Sequence, residues 1–245
     1  MVGKFRKFLT GDMQSSSQQS SAEVEELTYR GVRFEFPASV LTDRMRQAFS
    51  HNFYEVEESE ELPYLLQDGE VVLELGAGVG FISTLCAKDP RVSKVFAIEA
   101  NPALIPICRR TYELNDVSVT IFNEMVGPQS GHATFHVHKD FWASSTMPGE
   151  GATPVEIPVT SFQQRLDEIQ PTMLIVDIEG GEVDLFDGVN LACVRKIMLE
   201  IHQYAIGRLG VKKLFDTLSA QNFHYEQWHS RRGIVTFSAV DRDVR

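Results

Sequence analysis

Two periodicities alternate along this chain. Short continuous apolar runs, each closed by an acid or a turn residue, are separated by stretches whose apolar positions recur at helical spacing. The runs at 71–75, 94–99, 117–126, 171–177 and 196–202 read as buried strands, and the stretches at 81–88, 102–114, 182–186 and 206–219 read as helices between them. Residues 223–229 and 233–240 read as a closing antiparallel pair joined by Ser230-Arg231-Arg232-Gly233. This βαβ alternation predicts an α/β fold, a doubly wound Rossmann-like sheet that is mostly parallel with an antiparallel edge strand. Ahead of it, residues 27–37 alternate around Arg30-Gly31 and predict a β-hairpin. A helix follows over 40–50 with Leu41, Met45 and Phe49 on one face. The acids that follow, Glu58, Glu60 and Glu61, read as a solvated helix face. Residues 131–138 alternate like a hairpin strand, and Pro158 to Ser161 is expected to cap a helix running to Ile169. The expected organisation is a disordered tail over 1–25, an N-terminal extension of strands plus helix over 26–62, and one catalytic domain over 63–245.

The most informative stretch is Leu73-Glu74-Leu75-Gly76-Ala77-Gly78-Val79-Gly80. Glycines at a strand-to-helix turn permit positive φ and close approach of a ligand to the backbone, and the helix beyond offers unpaired N–H groups. A dinucleotide site would use G-x-G-x-x-G. Here the spacing is G-x-G-x-G, and Glu74 precedes it, which would repel a pyrophosphate. S-adenosylmethionine (SAM) carries an ammonium and a sulfonium and no phosphate, and the pattern resembles the SAM-dependent methyltransferase signature. Glu99 ends the next strand, 19 residues after Gly80, where a carboxylate can accept both ribose hydroxyls. Pro102 then suits a helix N-terminus.

Composition narrows the reading. The apolar content of 43% is that of an ordinary globular core, so a packed domain is expected. The net charge of −11 argues against a nucleic-acid reader, which should carry a basic footprint. Cys86, Cys108 and Cys193 lie scattered in apolar segments without metal-ligand spacing and read as reduced core residues. No run approaches a membrane span and no signal-peptide core follows the basic start, so a soluble cytoplasmic protein is expected. The Ser/Gln tract at 13–21 is too polar to pack. The segment 139–154 holds Phe141, Trp142, Ser144, Ser145 and Met147 among Gly and Pro breakers, and is expected to be a lid.

Several stretches taken in order resemble the FkbM-type SAM-dependent methyltransferases over residues 50–205: Phe53-Tyr54-Glu55, the turn Glu74 to Gly80, Ile98-Glu99-Ala100-Asn101-Pro102, Ser144-Ser145, Ile175-Val176-Asp177-Ile178-Glu179-Gly180-Gly181-Glu182 and Leu199-Glu200-Ile201-His202. Ile175 departs from the lysine usual there. The resemblance implies O-methylation of a hydroxyl on a small molecule such as a sugar, with S-adenosylhomocysteine as product, and the net charge leaves no nucleic-acid partner expected. Gly76, Ala77, Gly78 and Gly80 are expected at the methionine moiety, with Glu74 and Glu55 facing its ammonium. Glu99 is expected on the ribose, Ala100 and Asn101 beside the adenine, and Asn123 and Glu124 at the adenine amine. Asp177, Glu179, Glu200 and His202 are the catalytic candidates, at strand ends beside the expected methyl position. Asp177 also counts among the cofactor residues, and His202 is the candidate base, oriented by Glu200 or Asp177. Glu182 reads as a helix-start acid. A divalent metal shared by Asp177, Glu179 and His202 is chemically possible but not demanded, and none is expected. Methylation of nitrogen or of a protein, a non-catalytic SAM-binding protein and a nicotinamide oxidoreductase stay open as alternatives.

Overall fold

The structure is a computed structural model, and it describes residues 24–138 and 150–243. Most of the expected tail and most of the expected lid, with Phe141, Trp142, Ser144, Ser145 and Met147, lie outside the described residues.

The hairpin forms as expected from β1 (Val24–Tyr29) and β2 (Val32–Pro37), turning at Arg30 and Gly31, both at positive φ. The first helix, α1 (Asp43–Ser50), is shorter than its apolar pattern because Thr42 caps it, accepting from the Met45 amide at 3.2 Å. The second, α2 (Val56–Leu65), carries the acid run. The alternating core then unfolds in order: β3 (Glu70–Leu75), α3 (Phe81–Lys88), β4 (Val92–Glu99), α4 (Ile105–Leu114) and β5 (Thr120–Asn123). After an excursion it resumes with α5 (Phe162–Ile169), β9 (Met173–Val176), α6 (Glu182–Leu185), β10 (Lys196–Glu200), α7 (Gln203–Ala220), β11 (Phe223–Tyr225) and β12 (Ile234–Ala239).

The seven-stranded sheet has the order β11-β12-β10-β9-β3-β4-β5, with β12 antiparallel to both its neighbours and the strands from β10 to β5 parallel. The chain moves outward from β3 towards β5, then returns to β9 on the other side. The crevice beyond the carboxyl ends of β3 and β9 is therefore the topological switch point, where open α/β sheets bind ligands.

The excursion between β5 and α5 departs from the expected elements at two places. The expected third strand divides at Glu124 into β5 and β6 (Met125–Gly127), which belong to different sheets. Residues 153–161, expected as loop and helix cap, form β8 (Thr153–Ser161), lying between β6 and β7 (Gly131–Val137) in a three-stranded sheet. Its prolines, Pro154 and Pro158, fall where β8 pairs β7 alone, since β6 reaches only from Val159 to Ser161. Prolines are tolerated on such an unpaired edge.

One face of the large sheet is covered by the N-terminal elements. Tyr29, Phe34, Phe36, Phe49, Tyr54 and Phe81 form one aromatic cluster that continues into Val72, Ile82 and Ile175. The other face packs Phe162, Phe186, Leu214, Leu218 and Phe237 against Leu73, Leu174 and Leu199. The acid run is a solvated face only in part: Glu60 is exposed as expected, whereas Glu58 and Glu61 turn inward. Glu61 is 2% exposed, held by Arg231 at 2.6 Å and His229 at 3.0 Å, and Glu58 is 8% exposed. Cys86 and Cys108 are buried and free, as expected, and Cys193 is half-buried and free. Among the described residues no helix is long and apolar enough to cross a membrane.

Candidate active site

A cavity of about 880 Å³ opens at the switch point. Its floor is the glycine turn. Gly76, at φ +88, lies so close to β9 that a Cβ there would fall 1.7 Å from the Asp177 carbonyl oxygen. Gly80, at φ +80, leads into α3, and a Cβ on it would meet the Tyr112 ring at 2.8 Å. Only glycine meets both demands, positive φ and a missing side chain.

Glu99 ties the turn to the next strand. Its Oε2 accepts from the Gly78 amide at 2.8 Å and its Oε1 from the Asn101 amide at 2.7 Å. A carboxylate has about four acceptor sites, so capacity remains for a ligand. Burial pushes Glu99 up to about 7 despite those amides. Gly76, Gly78, Glu99 and Ala100 line the cavity. Ala77, Gly80, Asn101 and Asn123 are not among the lining residues. They shape the site from behind: Asn101 Oδ1 accepts from the Ala103 amide at 3.0 Å, and Asn123 Nδ2 donates to the carbonyls of Glu99 and Ala100. Glu124 lines the cavity, but both its oxygens are engaged by Arg165, at 2.6 and 2.7 Å, and Oε2 also accepts from Thr160. That ion pair, absent from the sequence expectation, is what fixes Glu124 at the end of β5.

Behind the turn, Glu55, Glu58, Glu74, Asp177 and Glu200 surround a small inner pocket. Glu74 is 3% exposed, its Oε2 lacks a hydrogen-bond partner, and burial pushes it up to about 8. Burial raises Glu58 to about 7 and Glu55 well above the carboxylate range, with Glu58 and Glu74 adding repulsion on Glu55. Glu55 is held at φ +42, a conformation that non-glycine residues adopt at a cost of about 1–3 kcal/mol. Glu58 was missing from the expected site because a run of acids gives no sign of which one turns inward.

The four catalytic candidates come together at the ends of β9 and β10. Burial, then Glu200 and Glu179, hold Asp177 well above the carboxylate range, and its Oδ1 is without a hydrogen-bond partner. Glu179, at φ +49, accepts from the Tyr204 hydroxyl at 2.6 Å. His202 is 6% exposed, and its Nε2 stands 3.3 Å from Glu179, 3.7 Å from Asp177 and 3.9 Å from Glu200. Its orienting partner differs from the expected one: Nδ1 meets Glu182 Oε1 at 2.7 Å. Glu182, read from sequence as a helix-start acid, is fully buried and also accepts from the Gly180 amide. Burial pulls the imidazole down, but Glu182, Glu179 and Glu200 outweigh it and hold His202 above its ordinary value.

The rim carries a feature the sequence reading passed over. Phe53, 72% exposed, stacks on His51 with ring centroids 6.0 Å apart and planes 15° from parallel, and both line the cavity mouth beside Arg44.

These residues fit a cationic cofactor. Glu74 Oε2 is a buried, unpartnered acceptor behind a cradle that a single Cβ would fill, and no Lys or Arg is among the described residues that line the inner pocket.

Comparison with known proteins agrees on a methyltransferase fold and changes the acceptor class. Residues 32–129 match the family model of the TRM5/TYW2 methyltransferase domain. Wild-type Trm5b from Pyrococcus abyssi superposes with a TM-score of 0.50 at 15% identity, covering 88% of this chain and 55% of its own. The tRNA m1G37 methyltransferase of M. jannaschii gives 0.49 at 14% identity, covering 89% and 57%, and the M. jannaschii TYW2 bound to AdoMet gives 0.47 at 11%, covering 89% and 87%. The chain thus spans little more than half the length of Trm5b. No curated protein matches it in sequence. The domain match corrects the FkbM-type resemblance, together with the small-molecule O-methylation and the exclusion of nucleic acid drawn beside it. The net charge misled because it is a sum over the whole chain and says nothing about one surface. The sheet order and the glycine turn thus agree with the match of residues 32–129 to a methyltransferase domain.

Proposed function

We propose that this protein methylates a base of a structured RNA of the tRNA class. The observation that carries the reading is the match of residues 32–129 to the TRM5/TYW2 methyltransferase domain, whose namesakes are tRNA methyltransferases. Two features of the cavity support it. At about 880 Å³ it lies near the upper end of ligand pockets, with room for a second ring beside a nucleoside cofactor. At its mouth the exposed Phe53–His51 stack offers the kind of platform on which unpaired bases settle.

S-adenosylmethionine supplies an electrophilic methyl on its sulfonium when bound. In this reading Glu99 holds the ribose hydroxyls, Glu74 and Glu55 face the ammonium, and the Gly76–Gly78 backbone admits the methionine moiety. Ala100 lies beside the adenine, while Asn101 and Asn123 hold the strand ends in register. Asp177, Glu179, Glu200 and His202 lie where the acceptor enters, and their part is to hold it in line with the breaking bond, within about 3–3.5 Å of the methyl.

The test is transfer of labelled methyl from SAM to a total tRNA pool and to individual tRNA transcripts. Incorporation is expected with the wild type, to be lost in Glu99→Ala. In Phe53→Ala the KM for RNA should rise by about 5- to 160-fold, the range of one lost stacking contact of about 1–3 kcal/mol. A wild type that binds SAM yet labels no tRNA would overturn the proposal.

A further inference from the structure

The catalytic cluster contains one histidine whose surroundings are those of a metal ligand. A ligating imidazole characteristically donates its other N–H to a carboxylate, which fixes the tautomer and the ring orientation. Glu182, fully buried, performs that task on His202 Nδ1 at 2.7 Å, and is itself held by the Gly180 amide. With the proton on Nδ1, the Nε2 lone pair points into a group of carboxylate oxygens. Lone pairs of that kind repel unless a positive centre lies between them.

The spacing suits such a centre. Asp177, Glu200 and His202 each offer one donor atom, and these atoms lie within 4.8 Å of one another. The separations from Nε2, 3.7 Å to Asp177 and 3.9 Å to Glu200, fall between the roughly 3.0 Å of adjacent and 4.2 Å of opposite ligands around a cation with bonds of about 2.1 Å. Asp177 Oδ1 is buried without a hydrogen-bond partner, and His202, 6% exposed, directs Nε2 at the same point. Burying an unpaired polar atom carries a cost that a ligand removes. Glu179 Oε2, 3.3 Å from Nε2, is within reach as a fourth donor.

We infer that Asp177, Glu200 and His202 form a site for one divalent first-row cation of the Mn²⁺ type, with Glu182 as the positioning residue behind the imidazole. A single imidazole with two or three carboxylates is too rich in oxygen for a thiolate-seeking metal, and the imidazole favours Mn²⁺ over Mg²⁺. The three ligands lie on one side of the site, at the wall of the large cavity, so the remaining coordination positions face the space an acceptor enters. No spacing motif along the chain announces this site. Its ligands come from two strand ends and a helix N-cap, brought together only by the pairing of β9 with β10. The inference does not depend on the acceptor being RNA.

The experiment is titration of the purified full chain with MnCl₂, following the loss of the free Mn²⁺ EPR signal and the heat of binding. One Mn²⁺ per chain is expected in a saturable phase. That phase should weaken at least tenfold in His202→Ala, Asp177→Asn and Glu200→Gln, and about 10- to 100-fold in Glu182→Gln. Glu200→Gln, the mildest of these changes in a partly exposed residue, keeps the test decisive should His202→Ala fail to fold. Absence of a saturable phase in the wild type would overturn the inference. So would a phase of equal affinity in wild type and Glu200→Gln, which would mark diffuse attraction to an acidic surface.

Discussion

Gly76 and Glu99 show how single residues set this site. A methyl group on Gly76 would collide with the Asp177 backbone, which cannot yield without parting β3 from β9, and it would also oppose φ +88. Gly76→Ala is therefore expected to lower stability by more than about 2 kcal/mol, read from thermal melting, and to abolish SAM binding. Glu74 and Glu99 carry a pH signature. Their folded values, about 8 and about 7, lie above the ordinary 4.5, so the folded chain holds protons that the unfolded chain has released. Their contribution to stability is complete below about pH 4.5 and is lost as pH rises through about 7 and 8. A bound ammonium and sulfonium reverses that preference and expels the protons. SAM affinity should thus rise by about three- to tenfold per pH unit between about pH 6 and 8. Calorimetry in two buffers of different ionisation enthalpy checks this, and proton uptake on binding would contradict it. At this scale the sequence disclosed residues whose chemistry is local, the glycines and the strand-end acid. It hid Glu182 and Glu58, whose roles exist only once His202 or the inner pocket is beside them.

Between elements, distant charges do what the local pattern could not announce. The acid run of α2 looked solvated because its cations lie far along the chain, in the β11–β12 connection: Arg231 and His229 hold Glu61, and Arg231 also reaches Glu60. The chain's C-terminal part is anchored in the same manner at the opposite end of the sheet. Asp243 binds Arg195 at 2.8 Å and Lys196 at 2.6 Å, with both cations buried. Removing one partner of a buried pair leaves an uncompensated charge, which costs about 3–5 kcal/mol. Asp243→Asn should lower stability by that order in denaturant unfolding, and a change below about 1 kcal/mol would show the clamp to be solvated. The strands read best from sequence were the continuous apolar runs of the parallel sheet. β8 was misread because its two prolines are turn signals everywhere except on an unpaired edge.

At the scale of the whole molecule, the hairpin, α1 and the glycine-turn helix share one hydrophobic cluster. Phe34→Ala, at a residue that does not line the cavity, should therefore cost about 3–5 kcal/mol and leave one cooperative unfolding transition. A separate early transition would show that the N-terminal elements melt alone. The alternation of strands and helices was enough to reveal the architecture, since periodicity reports burial directly. The acceptor was beyond such reasoning, because it depends on a surface, and total charge does not resolve surfaces. The cavity at the switch point serves, in the proposed function, as the cofactor site. Calorimetric titration with SAM and with S-adenosylhomocysteine, on wild type and Glu99→Ala, tests that most directly. One-to-one binding of both ligands, weakened at least about tenfold in the variant as two ribose hydrogen bonds are lost, is the predicted result. Absence of binding by the wild type, or binding indifferent to Glu99, would contradict it.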